Sequence, residues 1–475
     1  MHLDRLLGTE PAATALTAAR VKGDPRAVEI TSVVSDSAEA GPGALFCAIS
    51  GARADGHGFA AAAIDAGARA LLVEHLVATD VPQIVVPDTR AAIGPVAAAF
   101  HGRPSTRLAV VGVTGTNGKT TTVHLLRTVL ERAGWPTGLI GTLTGVRTTP
   151  EAPELQARLA AMVAEGRRAV AMEVSSHAMA MHRVDGTRFA VGVFTNLSRD
   201  HLDFHASLED YFQHKARMFD PAFADAAAVN LDDPRGRLLR DAATVPTTGF
   251  SLDDVEDLQL GVSSSQFRWR GRDVVLHLGG RFNVANALAA ATAASLLGID
   301  DAVIAEGLAD AGPVAGRFEV VDAGQPFTVV VDYAHTPDGL EQLLDAARAV
   351  VPGGSTLLVF GCGGDRDRSK RPAMGRVAVT GADRVVLTSD NPRDEAPEVI
   401  IDAVREGMGD TAALVIEPDR RAAIVAALSE AGPGDVVVLA GKGHETTQVI
   451  GDREEPFDDR VVAREELARL GWPAP

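Results

Sequence analysis

Cysteine is nearly absent: the 475 residues hold two, Cys47 and Cys362, far apart and without the spacing of a metal site. A disulfide framework is therefore not expected, and a reducing cytosol fits. No stretch approaches the roughly 18 consecutive apolar residues of a membrane span. The opening "MHLDRLLGTEPAATAL" lacks the basic end and continuous apolar core of a signal peptide, so a cytoplasmic protein is expected. Positive charge is also short. Lys+Arg total 45 against 63 for Asp+Glu, a net charge of −18. That balance disfavours general binding to nucleic acid or anionic membranes, and an anionic substrate would need a local positive pocket. Fixed-period repeats and low-complexity tracts are missing as well.

What is present is a rhythm of short apolar runs and helix-like segments, over a length that suits roughly two to four domains. Residues 1–104 alternate "ALFCAI", "ARALLVE" and "QIVVP" with Ala-rich stretches, which predicts a small α/β domain. "HGRPSTR" punctuates the chain before a second region, 105–313. Its predicted strands are "LAVVGV", "RAVAMEV", "FAVGVFTN" and "AAAVN", with a hairpin turning near Arg270 and Gly271. "DAGPVAGR" opens a third region, 314–475, with "FTVVVDYA", "STLLVFG", "RVVLTSD", "AALVIE" and "DVVVLAG". Such continuous apolar runs fit parallel sheets covered on both faces. Three α/β domains are expected.

The strongest single signal is "LAVVGVTGTNGKTTTVHLLRTVLERAG". A buried strand leads into Gly115, Thr116, Asn117, Gly118, Lys119, Thr120 and Thr121, and an amphipathic helix follows. Glycines let backbone N–H groups curl around phosphate oxygens, and the helix N-terminus adds a favourable dipole. Lys119 can reach the outer phosphates and the Thr120 hydroxyl can join magnesium. One departure from the common phosphate loop is Val113, where glycine is usual. The pattern predicts binding of a nucleoside triphosphate.

Other residues point to what the phosphate does. "AMEVSSHA" ends an apolar strand on Glu173, placed to hold magnesium near the loop. "FTNLSRDHLDFH" sets Asp200, His201, Asp203 and His205 after another strand, a nitrogen and carboxylate set that suits a second divalent ion. Taken alone, His205 reads as a surface or capping histidine, and Lys215 in "YFQHKARMF" reads as a solvated lysine on a helix. "VVLTSDNPRDE" breaks an apolar run into Asp390, Asn391, Pro392 and Arg393, and taken alone reads as a turn.

Together these segments resemble the Mur ligases, ATP-dependent enzymes that extend the peptidoglycan stem peptide. "GTNGKTTT", "MEVSSHA", "FTNLSRDHLDFH", "YFQHKARMF", "FNVANALAA", "GRFEVV", "DYAHTPDGL", "GCGGDRDRSKRPAMG", "DNPR" and "GKGHE" occur in the family's order across nearly the whole chain. The family's altered loop accounts for Val113. The resemblance implies an N-terminal UDP-binding domain, a central P-loop ATPase domain with a parallel sheet and a C-terminal Rossmann-like domain. It also implies ATP, two magnesium ions and action as a monomer.

The resemblance also assigns roles. Lys119, Glu173, His201 and Lys215 match the catalytic set, and Thr120, Glu173, His201 and a carbamylated Lys215 the magnesium ligands. Asn283, Asn286, Arg317, Asp332 and His335 match nucleotide contacts. Ser35, Ser37, Thr148, Thr149, Ser175, Met181 and Arg183 fall at positions that contact UDP-N-acetylmuramoyl-L-alanyl-D-glutamate. Ala38, Arg147 and Met181 depart from the residues common there. "DNPR" marks the diaminopimelate-adding members, so Asp390, Asn391, Pro392 and Arg393, with Arg366, Gly441 and Glu445, are expected to hold meso-diaminopimelate. Arg393 can grip its extra carboxylate bidentately, from a corner that proline stiffens. The competing readings are a folylpolyglutamate synthase, a P-loop switch or motor, and a degenerate ligase kept as a binding protein. The intact loop, Glu173, His201 and Lys215 argue for working chemistry, and "DNPR" with the long N-terminal region argues against the synthase.

Overall fold

The apolar runs become the middles of three sheets. The computed structural model describes residues 1–51, 54–409, 411 and 413–472. Ala52 and Arg53, in "GARADG", a stretch that resembles part of the family's uridine-binding segment, lie outside the described residues. In the N-terminal region five strands run in the order Arg20–Lys22, Gln83–Val85, Ala70–Val73, Ala44–Cys47 and Ser32–Val34. All pairs are parallel except the first. The helix Thr89–Phe100 lays Ile93, Val96 and Ala97 against this sheet, in a core with Leu45, Leu72 and Ile84.

The second sheet is wholly parallel, in the order Thr247–Phe250, Ala227–Asn230, Val191–Phe194, Ala109–Thr114, Ala169–Glu173 and Thr137–Ile140. The strand Ala109–Thr114 was the first of these in the chain yet lies inside the sheet. Its neighbours on the two sides are reached by crossovers in opposite directions, which leaves a crevice at its carboxyl end. The helix Lys119–Arg132 starts in that crevice and packs with Arg281–Leu296 over one face. Gly134, with φ 75°, ends it in a left-handed turn, where Trp135 N–H donates to Leu130 O at 2.9 Å. The expected hairpin is present: Ser265–Trp269 pairs with Arg272–Leu276 through Arg270 (φ 46°) and Gly271 (φ 73°). Positive φ at both turn residues matches the twist of the flanking strands. A third strand, Val255–Leu260, extends it.

The third sheet runs Glu319–Val320, Thr328–Asp332, Val436–Ala440, Thr356–Phe360, Arg384–Leu387 and Leu414–Ile416, parallel but for its first, antiparallel edge strand. Helices cover both faces, around Leu343, Leu358 and Val404 on one side and Val359, Ile424 and Leu439 on the other. Asp332 at one strand end, and Gly361, Asp390 and Gly441 just beyond three others, line pockets with Asp200 and His201 of the central region. Arg199 N–H donates to Asp338 Oδ2 at 3.3 Å, and its guanidinium to Ser369 Oγ at 3.1 Å. These bonds close the two regions on one another.

Candidate active site

The phosphate loop curls as its glycines allow. Gly118 has φ 86°, and a Cβ there would stand 2.2 Å from Asn286 Oδ1, so no other residue fits. Lys119 folds back, donating to Gly115 O at 3.0 Å and Thr116 O at 2.8 Å. Thr116, Asn117, Thr120 and Thr121 line a cleft of about 210 Å³ with Thr142, Thr148, Glu173, Ser175, Asp200, His201, Arg317, Asp332 and His335. Asn286 lines both this cleft and a neighbouring, more apolar one of about 560 Å³, walled by Phe250, Leu252, Leu260 and Phe282. Asn283 is buried behind it, donating to Gly279 O at 2.8 Å and accepting from Asn286 at 3.2 Å.

Glu173 is the node of the cleft. The Thr120 hydroxyl donates to its Oε2 at 3.1 Å, and Thr142 N–H to its Oε1 at 2.8 Å. A hydroxyl and a carboxylate at this spacing are hard oxygen donors of the kind magnesium takes. His201 opens on the same cleft with φ 56°. Burial pushes its imidazole down to about 3, so its lone pair is free at neutral pH. Thr142 was not foreseen; only its place just after the strand Thr137–Ile140 could have drawn notice.

Lys215 is not the solvated lysine that its helix alone implied. It is 1% exposed, its ammonium donating to Gly115 O at 2.7 Å and lying 4.5 Å from the Tyr211 ring centroid. Burial, with Lys119 nearby, pushes its pKa well below the usual range. His205 is likewise buried rather than superficial, at 2% exposed.

The opposite wall comes from the C-terminal sheet. Arg317 stacks over the Tyr333 ring at 4.5 Å and donates to Thr120 Oγ1 at 3.1 Å. Asp332 accepts Phe318 and Ala334 N–H groups, both at 2.7 Å. His335 bonds the Tyr333 carbonyl at 2.9 Å through Nδ1, and its Nε2 stands 3.8 Å from Asp200 Oδ2. Lys370 approaches the other oxygen of Asp200, also at 3.8 Å.

Asp200, His201, Tyr333 and His335 also line a second pocket of about 250 Å³, with Arg366, Asp390, Asn391, Arg393, Gly441 and Glu445. Asn391 donates to Glu445 Oε2 at 2.7 Å and accepts from Val449 N–H at 3.0 Å. After Pro392, Arg393 takes φ 53° and is pinned by backbone bonds to Val449 and Gly451. Its Nη1 donates to Gly364 O at 2.6 Å, and burial lowers its pKa. Gly441, with φ 109°, leaves room for Asp390, whose oxygen a Cβ would meet at 2.5 Å. Burial raises the Asp390 pKa. The residue missed here is Lys442, fully buried, which donates to Asn391 Oδ1 and Glu445 Oε2 at 3.2 Å and to Thr447 O at 2.6 Å. Its place inside "GKGHE" was the available signal.

Toward the N-terminal sheet, Ser35 and Ser37 line a pocket of about 390 Å³ with Arg90, Arg147 and Glu151. Thr148 meets Thr142 at 3.0 Å on the edge of the ATP-loop cleft. Two hydroxyls are occupied locally: Thr149 bridges Glu173 O and Ser175 N, and Ser175 caps the helix Ser176–Ala180. Arg183 pairs with Glu151 at 2.9 Å and touches Met181 Sδ at 3.4 Å.

Three family models match the chain in succession: "Mur ligase family, catalytic domain" over residues 29–101, "Mur ligase middle domain" over 113–294 and "Mur ligase, glutamate ligase domain" over 316–443. The chain belongs to the Mur ligase family. Among relatives of this Mur ligase, the UDP-N-acetylmuramoyl-L-alanyl-D-glutamate–2,6-diaminopimelate ligase of Thermosynechococcus vestitus is 45% identical over 470 residues, covering 92% of this chain and 93% of its own. The enzyme of the same name from Solibacter usitatus is 45% identical over 468 residues, covering 94% of each chain. A solved structure of a ligase with that name is 32% identical, with a TM-score of 0.66 and coverage of 95% of this chain and 97% of its own. In this Mur ligase the central and C-terminal sheets meet around one cleft.

Proposed function

We propose that this Mur ligase joins meso-diaminopimelate to the D-glutamate γ-carboxyl of UDP-N-acetylmuramoyl-L-alanyl-D-glutamate, using ATP, as a cytoplasmic step of peptidoglycan precursor synthesis. The observation that carries the reading is the sharing of Asp200, His201, Tyr333 and His335 between the phosphate-loop cleft and the Arg393 pocket. An acyl phosphate formed in the first is then within reach of an amine held in the second. Relatives carrying the diaminopimelate-ligase name support the substrate class.

The phosphate loop and Lys119 hold the outer phosphates of ATP, with the adenosine in the apolar cleft beside Asn283 and Asn286. Asp332 and His335 flank the nucleotide from the C-terminal side. Arg317 and Lys119 neutralise charge that gathers as the substrate carboxylate attacks the γ-phosphate. Thr120, Glu173, His201 and a carbamylated Lys215 would hold two magnesium ions, which when bound screen the crowded phosphate and carboxylate anions. Burial supports the modification, because it favours the neutral amine of Lys215 that carbon dioxide requires. Ser35, Ser37, Thr148, Thr149, Ser175, Met181 and Arg183 surround the UDP-muramoyl dipeptide. Arg366 and Arg393 receive the distal carboxylate of diaminopimelate. Glu445, set by Asn391 and Lys442, receives its ammonium group, while Asp390, Pro392 and Gly441 shape that corner.

The test is phosphate release with ATP, magnesium and the UDP-muramoyl dipeptide, with meso-diaminopimelate or lysine supplied in parallel. Release and ligated product only with diaminopimelate is the expected result. Equal use of lysine would overturn the role of Arg393, and release without any amino acid would overturn the ligase reading.

A further inference from the structure

One group of ligating side chains lies outside both pockets. His205, Asp210 and His214 bring one ligand atom each to within 4.8 Å of one another, and none of the three lines the phosphate-loop cleft or the Arg393 pocket. Asp210 and His214 stand four residues apart on the helix Leu208–Ala216, hence on one face. His205 precedes the N-cap Ser207.

The hydrogen bonds around His205 decide what this group can do. Its Nε2 bonds Ser176 Oγ at 2.9 Å. With Nε2 as the donor to Ser176, Nδ1 keeps a bare lone pair, and among the described residues that buried Nδ1 has no hydrogen-bond partner. It faces Asp210 Oδ2 at 3.5 Å, while the other oxygen of Asp210 faces His214 Nε2, also at 3.5 Å. In that tautomer the electron pairs of Nδ1 and the carboxylate repel unless a cation stands between them. Ligands bound at about 2.0–2.1 Å around a tetrahedral ion lie roughly 3.3–3.4 Å apart, close to the spacing of each imidazole from the carboxylate oxygen it faces. Asp210 is held in place by Ala206 N–H at 3.1 Å. Asp210 and His214 remain partly exposed, so an ion can enter and water can complete its shell. A comparable group at Asp55, His57 and His75 lacks this feature, because His57 Nδ1 meets Asp55 at 2.6 Å and Nε2 accepts Glu74 N–H at 2.9 Å.

We propose that His205, Asp210 and His214 form a binding site for a transition-metal ion of the zinc or cobalt class, separate from the magnesium positions. Two imidazoles and one carboxylate select such an ion over magnesium, which takes oxygen ligands. His214 directly precedes Lys215 in the last turn of the helix, so an occupied site ties this helix to the His205 loop beside the catalytic cleft.

The test uses the full chain stripped by a chelator and kept in excess magnesium, which fills the oxygen-rich cleft. Cobalt(II) is then titrated and its visible absorption followed, with zinc as the competing ion. The expected result is one equivalent of cobalt with intense bands that zinc abolishes, and affinity about tenfold or more weaker in both His214→Ala and Asp210→Asn. Circular dichroism checks that each variant is folded; both positions are partly exposed, so folding is expected to persist. No bands with the wild-type chain, or equal affinity in both folded variants, would overturn the site.

Discussion

Arg317 reaches from the third sheet to donate to Thr120 Oγ1 at 3.1 Å, and the same hydroxyl donates to Glu173 at 3.1 Å. This chain of two bonds links a C-terminal cation, the loop that would hold phosphate and the carboxylate that would hold magnesium. Arg317→Ala removes both the charge and the latch between the regions. Steady-state phosphate release should fall about a hundredfold or more, in kcat rather than only in KM for ATP. Arg317→Lys should recover little, because an ammonium cannot stack on Tyr333 while repeating the planar fork. A change confined to KM would show that Arg317 only binds.

On the proposed reading Arg393 sets the choice of amino acid. One of its nitrogens is spent on Gly364 O, and the rest of the fork is available to a carboxylate. Arg393→Ala is expected to weaken kcat/KM for diaminopimelate by about a hundredfold and to leave lysine use unchanged or improved. Competition between the two amino acids in one assay reads this ratio directly. An equal loss for both would assign Arg393 to folding of the corner.

Among the described residues, none forms an ion pair with Lys215. A buried cation so placed is costly, and carbamylation removes it. Protein equilibrated with 13C-bicarbonate should give a carbamate carbonyl resonance that disappears in Lys215→Arg. That variant keeps the cation but cannot react, and its activity should drop about a thousandfold. A full-strength enzyme with no such resonance would sink the proposed modification.

Lys442 holds Asn391 and Glu445 from beneath the Arg393 pocket. Lys442→Met takes its donor from the Thr447 carbonyl and leaves Asn391 Oδ1 with only the Val449 N–H, at an expected cost of about 2 kcal/mol in chemical denaturation. KM for diaminopimelate should rise more than KM for ATP, since only the former pocket loses its support. Equal shifts in both would indicate general loosening.

Asp200 gives an acid limit to stability. Burial pushes its carboxyl up, but His335, His201 and Lys370, with the His201 N–H, hold it down to about 2. The unfolded value is about 3.9. A folded pKa below the unfolded one gives stability that is full above pH 4 and lost as pH falls toward 2. Melting between pH 2.5 and 5 should show this slope in the wild type and a shallower one in Asp200→Asn. Identical slopes would remove Asp200 from the account.

The strands, the hairpin at Arg270 and Gly271, and the phosphate loop were legible because each is encoded locally. Continuous apolar runs have no other stable place than a covered sheet, and left-handed turn residues and loop glycines act within a few positions. The antiparallel edge strand Glu319–Val320 and the strand Val255–Leu260 carried too weak a pattern to be read. His205 and Lys215 looked like surface residues for the same reason: a helix or loop position does not reveal what packs over it.

The sequence by itself determined the three sheet-forming regions, the phosphate loop with its helix, and the order of motifs that marks a Mur ligase. Each depends on periodicity and on backbone freedom over short spans. Only the tertiary structure decided that Arg317 meets Thr120, that Lys215 is buried with no anionic partner among the described residues, that Lys442 braces the Arg393 pocket, and that His205 faces Asp210 and His214. Those relationships join side chains distant in sequence, or turn on burial and hydrogen-bond direction, which arise only when separate elements close on one another and exclude water.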